Sequence, residues 1–262
     1  MISFETDWHG AYAGFSSRQD GVSGPPYDTL NLGLHVGDEH QHVIFNRQRW
    51  SENLHCPMST WVIGEQVHGG KIARVKPKDM GRGVYKLTSA VAGVDGLVTN
   101  DGDVALVGLF ADCYPIYVYD PVKRAIGLAH AGWRGTALRV ASLLVQRMQE
   151  EFASVPGDLL AAIGPGIGPE CYRVDHGVMD PMRTAYENAD SFYQADGGID
   201  LAGLNHVALL QSGVLPQNIT LARLCTSCRD DLFFSYRRDQ GKTGRMAAII
   251  RLQNLSGIPA QS

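Results

Sequence analysis

Several features that would assign a protein to a special class are missing from this 262-residue chain. No apolar run reaches the length needed to span a bilayer. The N-terminus, MISFETDWHG, lacks a basic segment followed by an apolar one, so no secretory signal is expected. The net charge of −4 comes without a basic stripe, which argues against nucleic acid as an obligate partner. The five cysteines form no regular framework, as is typical of reduced thiols, so we expect a cytoplasmic protein.

Common catalytic signatures are missing as well. The chain has no GxxxxGK[ST] phosphate loop, no GxSxG nucleophile turn, no HExxH zinc helix and no HxE…PCxxC deaminase motif. The segment GPGIGP resembles a dinucleotide-binding loop only loosely, because two prolines interrupt it and no clear helix follows.

Composition and periodicity predict one α+β domain over residues 1–262, with central mixed β-sheets, sandwich-like, flanked by helices. Apolar residues make up 44% and charged residues 19%, which suits an ordinary buried core. We predict helices at residues 39–54, 136–152, 178–186 and 201–212. Predicted strands cover residues 61–65, 71–75, 96–99, 104–110, 115–120, 125–130 and 159–163, and a C-terminal hairpin ends with residues 245–252.

Three distant residues form a plausible ligand set for a metal. His68 lies in GEQVHGG, Cys113 in LFADCYP and His130 in GLAHAGWRGT. Two imidazoles and a thiolate suit Zn²⁺, and three protein ligands leave a position open for water or substrate, as in catalytic zinc sites. Taken singly, a Cys or His is more often a packing residue, but two of these follow apolar runs, where strand ends display reactive side chains.

Several other polar residues are candidates for ligand binding. The turn AGWRGT opens a predicted helix, where Arg134 and Thr136 would face an anion, although Thr136 has an equally good interpretation as an N-cap. Some arginines could hold an anionic substrate, although most arginines coat a surface. The polar residues considered in the two terminal parts are Arg18, Asn46, Arg47, Arg237, Arg238 and Arg245. The remaining cysteines fit ordinary roles: Cys171 as core packing, and Cys225 and Cys228 of CTSC as plain thiols.

Six motifs occur in the order seen in the laccase-domain (multicopper polyphenol oxidase-like) family, which the chain resembles over nearly its whole length. They are GEQVHGGKIARV, VDGLVTN, ALVGLFADCYPIYVYDP, AIGLAHAGWRGT, AAIGPGIGPECYRV and CTSCRDDLFFSYRRDQGKTGRMAAII. The resemblance implies a single α+β domain with a central β-sandwich, and one catalytic zinc on His68, Cys113 and His130. It also implies phosphorolysis of the purine nucleosides adenosine, inosine and methylthioadenosine, together with adenosine deamination.

The older laccase label of that family implies copper, which the sequence supports less well. A multicopper oxidase needs about ten histidine ligands, many in HxH pairs, and the nine histidines here are scattered. A second implication is a thiol hydrolase that edits peptidoglycan precursors, a UDP-muramoyl-amino acid being the substrate. In that case Cys113 is the nucleophile and His130 its base.

The expected catalytic residues are Cys113, His130, His68 and Arg134. Substrate contacts are assigned to Arg18, Asn46, Asp95, Asp112 and Arg238. Deamination needs a carboxylate to move protons, and Glu65, Asp95 and Asp112 are equally eligible. The expected partners are nucleoside and phosphate, and the chain is expected to be a monomer or a weak homodimer.

Overall fold

The computed structural model describes residues 1–253. The strands are β1 (Ile2–Trp8), β2 (Ala11–Ser16), β3 (Trp61–Ile63), β4 (Ile72–Arg74), β5 (Gly96–Thr99), β6 (Ala105–Phe110), β7 (Tyr114–Asp120), β8 (Ala125–Ala131), β9 (Leu160–Ile163), β10 (Ile219–Leu221) and β11 (Met246–Leu252). The α-helices are α1 (His40–Asn53), α2 (Trp133–Ala137), α3 (Val140–Phe152), α4 (His176–Ala185) and α5 (Leu201–Gln211).

The strands form two mixed sheets. The five-stranded sheet has the order β1-β2-β11-β6-β3, antiparallel except that β3 runs parallel to β6. The six-stranded sheet has the order β10-β9-β7-β8-β5-β4, with parallel pairs at both edges. Consecutive strands β6 and β7 lie in different sheets, so the turn between them crosses from one sheet to the other.

Alternating side chains on β6 show how the layers are built. Leu106 and Phe110 point into the core between the two sheets, whereas Val107 and Leu109 point into a second core on the opposite face. Successive strand residues face opposite sides, and a strand buried on both sides is apolar throughout. This explains the unbroken apolar run of β6 in the sequence.

Helices cover the outer faces of both sheets. Val145 and Met148 of α3 pack with Leu204 of α5 against the six-stranded sheet. Trp50 of α1 lies edge-on to Trp61, with ring centroids 5.5 Å apart, on the far side of the five-stranded sheet. None of the helices within residues 1–253 has the length and apolar character needed to cross a membrane.

The expected fold class is confirmed: the chain is a single α+β domain with two mixed sheets and flanking helices. Most elements lie within a few residues of their predicted bounds. The predicted extent of 1–262 stays a prediction, because residues 254–262 lie outside the described part of the chain.

Two predicted elements are wrong. The single helix over residues 136–152 is two helices, because Arg139 adopts a left-handed conformation (φ 57°) between α2 and α3. Leu138 is 53% exposed at this break. The C-terminal hairpin does not form either: residues 232–238 are not a strand, and β11 pairs instead with β2 and β6.

Candidate metal centre

The fold brings the three predicted ligands together where the two sheets meet. His68 lies in the loop between β3 and β4, Cys113 in the turn from β6 to β7, and His130 near the end of β8. Their ligand atoms all lie within 4.8 Å of one another. The two imidazole rings are 4.9 Å apart, centroid to centroid, and meet edge to face.

A buried carboxylate, Asp95, organises this cluster. Its Oδ1 accepts from the backbone N–H of His68 at 2.8 Å and lies 3.1 Å from Nδ1 of His130. Its Oδ2 accepts from the backbone N–H of Gly69 at 2.7 Å. Nδ1 of His130 is therefore occupied, which leaves Nε2 for a ligand, an arrangement common in metal-binding histidines.

The cluster favours a thiolate beside an imidazolium. Burial raises the pKa of Cys113, but the charge of His130 and hydrogen bonds from His130 and His68 outweigh burial and lower it to about 6. Burial lowers the pKa of His130, but Cys113 and Asp95 raise it to about 9. A reactive or metal-binding cysteine needs this kind of surrounding, because the thiolate is the form that acts.

The backbone leaves room for a ligand at this point. A Cβ on Gly132 would lie 2.7 Å from Sγ of Cys113 and 3.3 Å from Cδ2 of His68. His68 itself has a positive φ of 60°, a conformation that is uncommon outside glycine and recurs at functional sites. Because Gly132 has no side chain, the space beside Cys113 and His68 stays free. Two imidazoles and one thiolate are a donor set expected for zinc.

Cationic and aromatic side chains surround the cluster. The pKa of Tyr172 is raised to about 12, by burial first, with further effects from the charges of Cys113, Arg237, Asp112 and Arg134. The guanidinium of Arg237 lies 4.6 Å from the Tyr172 ring. The guanidinium of Arg134 lies 4.2 Å from the ring of Trp133 and has no hydrogen-bond partner within residues 1–253.

Arg245 and His35 complete this rim. Burial lowers the pKa of Arg245, and the charges of Cys113, Tyr236 and Asp112 raise it. Its guanidinium donates to the carbonyls of Thr243 and Gly244. His35 remains open to solvent on one side. Its pKa is lowered to about 4 by burial, then by the charges of Arg245, Arg47, His130 and His68. It is therefore neutral at pH 7.

Three predicted substrate-binding residues have internal partners instead. The amide of Asn46 is buried and bonds to Val22, Ser23, Thr29 and Asn31. Arg18 binds Asp28 and the carbonyl of Asp230. Arg238 binds Asp239 and the carbonyls of Thr226, Ser227 and Phe233. Their role in substrate binding stays a prediction, while their contacts hold the N-terminal loop and the 225–238 segment in place.

The three carboxylates proposed for proton transfer differ clearly. Burial alone would raise the pKa of Asp95, but the hydrogen bonds of His130 and the backbone lower it. The pKa of Asp112 is raised by burial, although the backbone N–H of Arg237 and the hydroxyl of Thr226 donate to it. Glu65 is exposed and accepts from the backbone N–H of Gly93.

Sequence reasoning missed His35 and Tyr172, because nothing in their local pattern separates them from surface residues. It also misjudged Cys171, which is half-exposed rather than part of the core. Its sulfur lies 3.3 Å from that of Cys228, and Cys225 completes a second compact group of donors.

The fold and this cluster define a candidate metal-dependent enzyme on a two-sheet α+β scaffold. The family model described as "Multi-copper polyphenol oxidoreductase laccase" matches residues 12–253, and the chain belongs to that family. The family resemblance expected from the motifs is thus confirmed.

Similar proteins support the same assignment. The chain is 45% identical over 246 residues to a protein named purine nucleoside phosphorylase YlmD from Geobacillus stearothermophilus, covering 92% of this chain and 90% of that protein. The crystal structure of YlmD from that organism matches with a TM-score of 0.90, 44% identity and coverage of 94% and 93%. A Bacillus licheniformis hypothetical protein, YfiH, matches with a TM-score of 0.90, 40% identity and coverage of 93% of both chains.

Proposed function

We propose that this chain is a zinc-dependent purine nucleoside phosphorylase that acts on adenosine, inosine and methylthioadenosine and also deaminates adenosine. The observation that carries the proposal is the convergence of His68, Cys113 and His130 on Asp95, with ligand atoms within 4.8 Å. The names of the similar proteins supply the substrate class.

His68, Cys113 and His130 would hold the metal. When bound, the metal would supply a Lewis acid that polarises an oxygen of substrate or water. The protein's own part is to fix the three donors. Asp95 orients the ring of His130 through Nδ1 and fixes the backbone of His68 through its N–H.

Phosphorolysis forms a bond between a phosphate oxygen and the anomeric carbon and breaks the bond from that carbon to the purine nitrogen. The incoming dianion needs cations, and Arg134, Arg237 and Arg245 lie around the cluster. Arg134 suits this role best, because its guanidinium is exposed and makes no hydrogen bond within the described residues. The half-buried ring of Tyr172 offers a face against which a purine can stack.

Deamination needs a group that carries protons between water and the leaving amine. Asp112 is the carboxylate of the three whose pKa is raised, by burial, and it lies next to Cys113. A raised pKa makes a carboxylate a better proton acceptor, so we assign this role to Asp112.

One observation favours a second candidate function. Cys113, His130 and Asp95 form the nucleophile, base and orienting carboxylate of a thiol hydrolase, and the pKa values of Cys113 and His130 favour the ion pair between pH 6 and 9. The metal site and this triad use the same atoms. A coordinated thiolate has its lone pair engaged, so zinc would inhibit a hydrolase but activate a phosphorylase.

The test is an assay of metal-quantified protein with and without phosphate. Inosine should give hypoxanthine and ribose 1-phosphate only when phosphate is present, and adenosine should in addition release ammonia. Removing zinc with a chelator should abolish both reactions, and adding zinc should restore them. Chelated protein that still cleaves a UDP-muramoyl-amino acid would instead support the thiol hydrolase.

Two variants sharpen this assay. Arg134→Ala should raise the KM for phosphate more than it lowers kcat, whereas Arg147→Ala should change neither. Arg147 lies on α3 and is paired with Glu150 and Glu151. Copper is distinguished by colour, because Cu²⁺ in a His₂Cys site gives an intense thiolate charge-transfer band, whereas the zinc protein is colourless.

A further inference from the structure

A second group of thiols lies outside the candidate metal centre. Cys171 ends the loop that follows β9, and Cys225 and Cys228 lie in the turn that follows β10. The three sulfur atoms lie within 4.8 Å of one another, and those of Cys171 and Cys228 are 3.3 Å apart. All three are free thiols, and none contributes to the cluster of His68, Cys113 and His130.

Two backbone N–H groups converge on the sulfur of Cys225. The N–H groups of Gly168 and Cys228 both point at its sulfur, at 3.2 Å and 3.4 Å. Backbone N–H groups that converge on one atom favour negative charge there, and amide donors to a ligating atom support metal binding. The carbonyl of Gly166 accepts from Thr226 at 3.0 Å, which holds the turn against the loop.

The loop also leaves space beside this sulfur. A Cβ on Gly168 would lie 3.4 Å from Sγ of Cys225 and 2.6 Å from Oε2 of Glu170. A cavity of about 400 Å³ borders Cys225 and Glu170 and provides an entry path. Water that enters from this cavity would complete a four-coordinate site.

Three sulfur atoms this close together can serve one cation as ligands. A thiol binds a metal as the thiolate, so its proton leaves as the metal binds.

We propose that Cys171, Cys225 and Cys228 form a second metal site, which binds one zinc-class cation through three thiolates. The metal would fasten the 164–171 loop to the 225–228 turn. Thr226 in that turn donates to Asp112 at 2.7 Å, and Asp112 precedes Cys113. The second site therefore braces one wall of the first, and the proposal does not depend on which reaction the first site performs.

The test is the zinc content of the full chain, loaded under a phosphine reductant that keeps thiols reduced. The wild type should hold one zinc at each of the two groups of donors. Cys225→Ser should lose one equivalent, Cys113→Ser should lose the other, and the buried Cys56→Ser should keep both. If Cys225→Ser does not fold, Cys228→Ser at an exposed position replaces it.

Cobalt gives an independent readout. In Cys113→Ser loaded with Co²⁺, the thiolate-to-metal absorption should be about three times that of Cys225→Ser, because three thiolates replace one. Equal zinc contents in wild type and Cys225→Ser would overturn the proposal. A second outcome would also overturn it: peptide mass spectrometry finds a Cys171–Cys228 disulfide in the isolated protein, and the protein still does not take up zinc at this group after the disulfide is reduced.

Discussion

Replacing Asp95 by asparagine tests the organisation of the candidate metal centre most directly. The side chain is fully buried and accepts from His68, Gly69 and His130 through its two oxygens. Asparagine keeps the volume but exchanges one oxygen for an NH₂ group. In either amide orientation at least one buried donor then faces another donor.

The expected cost follows from these contacts. A hydrogen bond to a charged group contributes about 1.5–3 kcal/mol, and a buried donor left unpaired costs about 1–3 kcal/mol. We expect a loss of about 2–4 kcal/mol in the free energy of unfolding of the metal-free protein. For a chain of this size that lowers Tm by roughly 5–15 °C. Zinc affinity should fall about 10–100-fold, because the ligands lose their orientation.

A matched control separates burial from site geometry. Asp120 is also buried, and its Oδ1 accepts from the backbone N–H groups of Val122 and Lys123, but its Oδ2 accepts no hydrogen bond from residues 1–253. Asp120→Asn therefore keeps every acceptor that is in use. Thermal unfolding and competition with a chromophoric chelator should show a small stability change and unaltered zinc affinity. Wild-type zinc affinity in Asp95→Asn would refute the orienting role of Asp95.

Three further predictions concern the same region. Gly132→Ala should lose the zinc held by His68, Cys113 and His130, because its Cβ would lie 2.7 Å from Sγ of Cys113. Gly102→Ala, in open space, should keep the wild-type zinc content by elemental analysis. The affinity for zinc at this centre should rise about tenfold per pH unit between pH 6 and 9, because the Cys113–His130 pair holds one proton that the metal must displace. Below pH 6 the pair holds two protons, so the dependence should be steeper. A flat profile in a competition titration would contradict this. The pKa of His35 falls from 6.5 to about 4 on folding, so the unfolded chain binds more protons than the folded chain between these two pH values. The folded protein therefore loses stability as the pH falls from 6.5 to about 4. Solvent screening limits this loss to about 1 kcal/mol, and urea unfolding of His35→Gln should show a correspondingly weaker pH dependence.

The metal-ligand candidates could be found from the sequence because histidine and cysteine side chains are themselves metal ligands. Histidine and cysteine beside apolar runs are few in this chain, and His68, Cys113 and His130 do converge. Asp95 was also found, but as a substrate contact, whereas the structure places it against the ligands. Nothing in VDGLVTN indicates which neighbour its carboxylate will meet, because that depends on pairing between β5 and β8.

Long-range pairing explains the errors as well. The segment from Leu232 to Leu252 reads as a hairpin because polar turn residues separate two apolar stretches. The first stretch is instead held by side chains, through Arg238 and the hydrogen bond from the backbone N–H of Phe234 to Met246. The break at Arg139 was missed because arginine is a good helix former and only tertiary packing sets its positive φ. The thiol group was missed because Cys171 is distant in sequence from CTSC.

The order of strands in the five-stranded sheet has a consequence for biosynthesis. β11 is the last strand of the described chain, yet it lies in the middle of that sheet, between β2 and β6. A ribosome-bound chain that lacks β11 already contains His68, Cys113 and His130, but β6, which leads into Cys113, still has no partner on that side. The nascent chain therefore carries all three donors before β6 is paired on both sides, and we expect zinc binding to develop only once β11 has been added.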